Sequence, residues 1–149
     1  MLCERSLELN NEVNVCFVDF EKAFDRVNWT KMMEVLKKLG VARRDRRMIS
    51  NLYLGMLATV RRGSDCSEAS LMGRGVRQGY GLSLLLFTVY AEMIMVKAME
   101  DIEEGIKVGG KWLEDVRFAD DQAMVASSER GLQPIMDELV RVAKQYDMK

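Results

Sequence analysis

The sequence predicts an α+β fold, an antiparallel sheet covered by helices on one face, and three observations carry that expectation. Val13, Val15 and Phe17 alternate with Asn14 and Cys16, the period of two that marks a strand, and the run ends at Asp19. Leu82 to Val96 is the most apolar stretch of the chain, interrupted by Glu92, and reads as a buried core helix too short to span a bilayer. Trp112 to Arg117 and Gln122 to Ala126 read as two strands around the tight turn Ala119-Asp120-Asp121.

The remaining elements follow in order. Met32, Val35, Leu36 and Leu39 recur at helical spacing after a capping residue at Asn28, with Gly40 placed where a helix ends. Met48, Ile49, Leu52 and Tyr53 predict a second helix, and Ala58 to Arg62 with Ala69 to Met72 two short strands around Gly63, Ser64 and Asp65. Ser83 is a candidate N-cap for the apolar helix. A last helix carries Leu132, Ile135, Leu139, Ala143 and Tyr146 on one face, with Pro134 near its first turn. No repeat, linker or low-complexity tract divides the 149 residues, so the chain reads as one unit, and 48% hydrophobic content is ample for a core.

Composition excludes much chemistry. The chain has no histidine, which removes Ser-His-Asp and Cys-His nucleophile pairs, imidazole bases and His-based zinc sites together. Cys3, Cys16 and Cys66 are odd in number and without a CxxC, which suits reduced thiols in an intracellular protein. Met1 to Asn14 lacks the basic flank and apolar run of a signal peptide, and neither it nor the core helix predicts a membrane partner. Net charge is −1, yet basic residues cluster at Lys37, Lys38, Arg43, Arg44, Arg46 and Arg47, and again at Arg61, Arg62, Arg74 and Arg77. Each cluster is either a solvated face or a contact for phosphate.

Two features hold the candidate chemistry. The loop Gly73-Arg74-Gly75-Val76-Arg77-Gln78-Gly79-Tyr80-Gly81 sets glycines beside cations, a feasible phosphate site or a plain turn, and matches neither the P-loop nor the dinucleotide fingerprint. Asp19, Asp120 and Asp121 stand where apolar elements stop. Two carboxylates about 4 Å apart would repel by roughly 4 kcal/mol at an effective dielectric near 20, so a shared site must hold a proton or a cation. A hard divalent ion with oxygen ligands suits such a cluster, and two-metal phosphoryl or nucleotidyl transfer is its natural chemistry. An Asp-Asp turn is also ordinary hairpin chemistry.

The runs Phe17-Val18-Asp19-Phe20-Glu21-Lys22-Ala23-Phe24-Asp25, Gly75-Val76-Arg77-Gln78-Gly79 with Leu82-Ser83 and Leu85-Leu86-Phe87, and Phe118-Ala119-Asp120-Asp121 together resemble the ordered palm motifs of reverse transcriptases, most closely those of LINE-type (non-LTR) retrotransposons. The resemblance implies a polymerase palm with an RRM-like antiparallel sheet backed by helices. Residues 1–12 would be the residual end of the fingers, 13–149 the palm, and fingers and thumb would be largely missing. It implies RNA-directed DNA polymerase chemistry, in which a primer 3′-hydroxyl attacks the α-phosphate of a dNTP with Mg2+ or Mn2+ as cofactor. Asp19 and Asp120 would bind metal and Asp121 would support them. Phe20 would lie beside the incoming nucleotide, Phe24 would be the bulky gate against a ribose 2′-hydroxyl, and Gln78 and Gly79 would pack on the nascent base pair.

The implied partners are an RNA or DNA template-primer, dNTP, and the fingers and thumb segments of a parent polyprotein. Arg77, Arg61 and Arg62 are the candidate nucleic-acid contacts, with Arg43 and Arg44 beside them. Tyr80 and Gly81 replace the family's usual Cys-Pro, and Leu84 replaces a proline after Leu-Ser. A truncated retroelement fragment with little activity alone is therefore expected. The alternative is a non-catalytic remnant acting as a weak nucleic-acid-binding or interaction module, and another palm-type enzyme such as a cyclase is a more distant third.

Overall fold

The computed structural model describes residues 13–100, 102, 106–108, 111–113, 115–118 and 121–149, with the backbone alone described within 106–118 and at residue 121. In chain order the elements are β1 (Asn14–Val18), α1 (Ala23–Arg26), α2 (Trp29–Lys38), α3 (Arg43–Tyr53), β2 (Leu57–Ala58), β3 (Arg61–Arg62), β4 (Asp65–Cys66) and β5 (Ser70–Leu71). They continue as α4 (Gly81–Met99), β6 (Ile106–Val108), β7 (Lys111–Leu113), β8 (Asp115–Phe118), β9 (Asp121–Ala126) and α5 (Glu129–Gln145). The mixture of helices and small antiparallel sheets is the α+β class expected. Two compact units emerge: Met1–Glu21 with Ala91–Lys149, and Lys22–Tyr90. The segment 1–12, expected as an end of fingers, lies outside the described residues.

In the first unit the sheet has the order β1-β9-β8, antiparallel throughout. Gln122 to Ala126 are all buried on the central strand, and α5 packs on β9 and β1 through Ile135, Leu139, Val142 and Ala143. Ser128 starts that helix, its hydroxyl accepting from the Gly131 amide at 3.1 Å. Pro134 lies inside α5, beyond the first turn expected for it. On β1 the alternation is real but its apolar half faces out: Val15 is 41% exposed and Phe17 83%. The register explains this, because Cys16 lies opposite the fully buried Met124, whereas Phe17 lies opposite Ala123, whose methyl is too small to cover a phenyl ring.

In the second unit Asn28 caps α2 by accepting from the Lys31 amide at 3.1 Å, and Met32, Val35 and Leu36 form its buried face. Gly40, with φ +79°, ends the helix while its amide donates to the Lys37 carbonyl. Helix α3 packs on α2 and buries only Tyr53 fully, leaving Met48 and Leu52 exposed. The predicted pair of short strands is a hairpin with two separate rungs, β2 with β5 and β3 with β4, turning at Gly63 and Ser64.

Helix α4 has the predicted core stripe: Ser83, Leu86, Phe87, Tyr90, Ala91, Ile94, Met95, Ala98 and Met99 are buried at helical spacing. The helix runs beyond the Leu82 to Val96 stretch expected to be too short for a bilayer: at 19 residues it is long and apolar enough to cross one, and 50% of it is buried in the protein. The helix begins at Gly81, so Ser83 is its third residue and not its cap. The single strand expected over Trp112 to Arg117 is two, since β7 pairs with the unforeseen β6 and β8 with β9.

Candidate active site

The acidic end of the first unit follows from strand register. β1 and β9 pair antiparallel with Val18 opposite Gln122, so the next residues along are Asp19 and Asp121. β8 and β9 close over a two-residue connection, Phe118 pairing with Asp121 across Ala119 and Asp120. Asp120 lies outside the described residues, and Asp121 is described by its backbone. Backbone geometry therefore gathers the two acidic segments, about a hundred positions apart in sequence, at one end of the sheet.

Asp19 is exposed and lines a cleft of about 300 Å³ with Phe17, Phe20, Leu139, Lys144 and Lys149. Phe20, expected beside a nucleotide, is buried at 7% exposure. The Lys149 ammonium pairs with Glu21 at 3.2 Å, and the Glu21 amide donates to the Lys149 carbonyl at 2.8 Å. Gln122, next to Asp121, is a buried polar residue whose Oε1 has no partner among the described residues. The donor set fits a hard cation, because it offers carboxylate oxygens and no imidazole. Among the described residues no three Asp, Glu, Cys or His side chains form a ready cage.

The second unit holds the remaining candidates. Phe24, Gln78 and Gly79 line one open cleft of about 600 Å³ with Tyr80, Gly81 and Leu84. Phe24 stacks on Phe87, ring centroids 4.8 Å apart, so its ring is fixed by the first half of α4. Gln78 is exposed, and Gly79 has φ +85°. Arg77 is engaged within the chain: its Nε donates to Met56 Sδ at 2.9 Å, and its guanidinium lies 5.8 Å from the Tyr80 ring centroid. Arg61 and Arg62 are exposed on β3, where Arg61 Nε donates to the Gly63 carbonyl at 3.1 Å. Arg43 and Arg44 are exposed on the first turn of α3.

Trp29, which the sequence reasoning passes over, and Tyr53 and Ser83, which it reads only as helix positions, fix this loop. The Trp29 indole N–H donates to the Gly75 carbonyl at 2.7 Å, and the amides of Gly75 and Val76 each donate at 2.8 Å, to the Val27 and Phe24 carbonyls respectively. Tyr53 Oη and Ser83 Oγ share a buried hydrogen bond of 3.2 Å. Tyr53 is legible as an apolar helix position and Trp29 is not singled out, and nothing in the spacing marks the polar atoms of either as partners of a distant loop.

An antiparallel sheet with acidic segments at one end, and a glycine-rich loop leading into a core helix, are features a nucleotidyl-transfer domain can use. The chain belongs to the reverse transcriptase family: the model of that family, reverse transcriptase (RNA-dependent DNA polymerase), matches residues 4–149. It is 29% identical over 126 residues to the retrovirus-related Pol polyprotein from type-2 retrotransposable element R2DM of Drosophila melanogaster, covering 83% of this chain and 12% of that protein. It is 26% and 25% identical to Pol polyproteins from type-1 retrotransposable element R2 of Nasonia vitripennis and Popillia japonica, covering 84% and 82% of this chain. The chain spans 12% and 17% of those two proteins. These relatives agree with the LINE-type (non-LTR) character of the motifs.

Proposed function

We propose that this chain is the palm of an RNA-directed DNA polymerase, with an RRM-like sheet whose acidic end adds dNTP to a primer 3′-hydroxyl. The observation that carries the reading is the antiparallel register that continues from Val18 and Gln122 to Asp19 and Asp121, the residue that follows Asp120 in sequence. Asp19 and Asp120 would hold Mg2+ or Mn2+, and Asp121 would support them. When bound, such ions lower the pKa of the attacking hydroxyl and offset charge on the triphosphate.

The chain's own residues supply position. Phe24, its ring stacked on Phe87, would be the bulky gate against a ribose 2′-hydroxyl and so would favour deoxynucleotides. Gln78 and Gly79 line the same cleft as Phe24 and would pack on the nascent base pair. Arg61 and Arg62 offer exposed charge to phosphate, Arg61 while its Nε holds the Gly63 carbonyl, and Arg77 would do so while its Nε holds Met56 Sδ. Template-primer binding and processive synthesis would draw on fingers and thumb segments as well.

The test is dNTP incorporation on a primed RNA template with magnesium or manganese, comparing this chain, its Asp120→Asn variant, and the chain joined to flanking fingers and thumb. Incorporation that Asp120→Asn abolishes, by the chain or by the longer protein, supports the reading. Salt-sensitive RNA binding with no incorporation by either, indifferent to Asp120→Asn, replaces it with a non-catalytic binding module.

A further inference from the structure

The glycine loop is held at both ends by buried groups, and between them by the exposed Arg77 side chain, which donates to Met56 Sδ and lies over the Tyr80 ring. Its entry is buried: Gly75 and Val76 are covered, whereas Arg77, Gln78, Gly79, Tyr80 and Gly81 are exposed. Three hydrogen bonds fasten that entry, from the Gly75 and Val76 amides to the Val27 and Phe24 carbonyls at 2.8 Å, and from the Trp29 indole to the Gly75 carbonyl at 2.7 Å. The fit is close enough to demand glycine. At φ +94° a Cβ on Gly75 would lie 3.0 Å from the Asp25 carbonyl oxygen, 3.1 Å from the Asp25 Cα and 3.2 Å from the Phe24 carbonyl oxygen, all backbone atoms.

The exit is fastened separately. Ser83, 1% exposed, shares its hydroxyl with Tyr53, and the Tyr53 ring tilts against that of Trp29 with centroids 6.1 Å apart. One turn further along α4, Phe87 carries the Phe24 ring. Phe24 is thus tied to the loop twice, by its carbonyl to Val76 and by its ring to the helix that the loop enters.

We propose that Trp29 and Tyr53 are positioning residues that clamp the two ends of the Gly75–Ser83 loop, so that the Phe24 ring and the Gln78-Gly79 turn keep one fixed spacing and nucleotide sugar selection depends on that spacing. The role in sugar selection rests on the reading of Phe24 as the gate; the clamp rests on the hydrogen bonds alone. Trp29 contributes through a single donor: phenylalanine at that position keeps an aromatic ring beside Tyr53 and removes the N–H that holds Gly75.

The experiment takes the whole chain and its Trp29→Phe and Tyr53→Phe variants, reading backbone amide hydrogen exchange residue by residue. Trp29→Phe should speed exchange at Gly75 and Val76 at least tenfold and leave α5 unchanged; exchange within twofold of wild type at both amides overturns the clamp. Tyr53→Phe should act at the exit, on the Ser83 and Leu84 amides, and an effect confined to Gly75 and Val76 overturns the two-ended arrangement. A second arm measures dCTP and CTP affinity in manganese, a pair that differs only at the ribose 2′ position, where Trp29→Phe should reduce the preference for dCTP at least fivefold. A loosened clamp with an unchanged preference overturns the role in selection. A wild-type chain with no preference overturns the gate reading of Phe24, and the exchange result still decides whether the clamp exists.

Discussion

Gly75→Ala is the most discriminating perturbation of the fold. Two costs add at that position: an L-residue at φ +94° loses about 1–2 kcal/mol to its backbone conformation, and a methyl forced to within 3.0 Å of the Asp25 carbonyl oxygen adds about 1–3 kcal/mol of overpacking. The atoms it meets are backbone, so no side chain can swing away. The sum, about 2–5 kcal/mol, is a large part of the 5–15 kcal/mol that usually separates folded from unfolded chains. Gly40→Ala is the matched control, because Gly40 has φ +79° with nothing within 4 Å of an added Cβ, and it should lose only about 1–2 kcal/mol. Urea unfolding followed by far-ultraviolet circular dichroism measures both. With m near 2 kcal/mol/M, the Gly75→Ala midpoint should fall by about 1–2.5 M. Equal losses in the two variants would refute the claim that the Asp25 backbone crowds Gly75.

The same unfolding assay checks three further expectations. Tyr53→Phe strands the buried Ser83 hydroxyl and should cost about 1–3 kcal/mol, part of which Tyr53→Phe with Ser83→Ala should restore by removing both polar groups. Asn28→Ala removes the acceptor for the Lys31 amide and should cost about 1 kcal/mol, whereas Asn28→Ser should keep most of it. Pro134→Ala should raise stability by about 2 kcal/mol: the exposed proline interrupts α5, a defect of about 3 kcal/mol, and its loss frees the unfolded chain by up to about 1 kcal/mol.

The sequence made local structure legible and left long-range geometry hidden. The Asn28 cap, the α2 face and the α4 stripe follow from spacing, because each depends on neighbours within a turn or two. On β1 the period of two is correct, yet which half is buried depends on partners near residue 124, and opposition to Ala123 leaves Phe17 in the open. Met48 and Leu52 mark a helix whose apolar side is nevertheless exposed. The acidic residues stood out as charges ending apolar elements, but the bringing together of Asp19 and Asp121 is a property of register. The hold of Trp29 on Gly75 joins residues 46 positions apart, beyond any local pattern.

Pairing between β1 and β9 also sets an order of events during synthesis. The acidic end closes only when a loop of roughly a hundred residues has been spanned, a slow, entropy-limited step. The contiguous unit Lys22–Tyr90 ends about 30 residues before β9 begins. At about 5–20 residues per second, β1 waits about 5–20 s for β9 to leave the ribosome, with Val15, Phe17 and both hydrogen-bonding edges open. Crowded polysomes expose neighbouring copies of that strand to one another during the wait. Yield of soluble chain should therefore depend on translation speed and chaperone supply, and a charged residue at position 17 would relieve that dependence by guarding the edge.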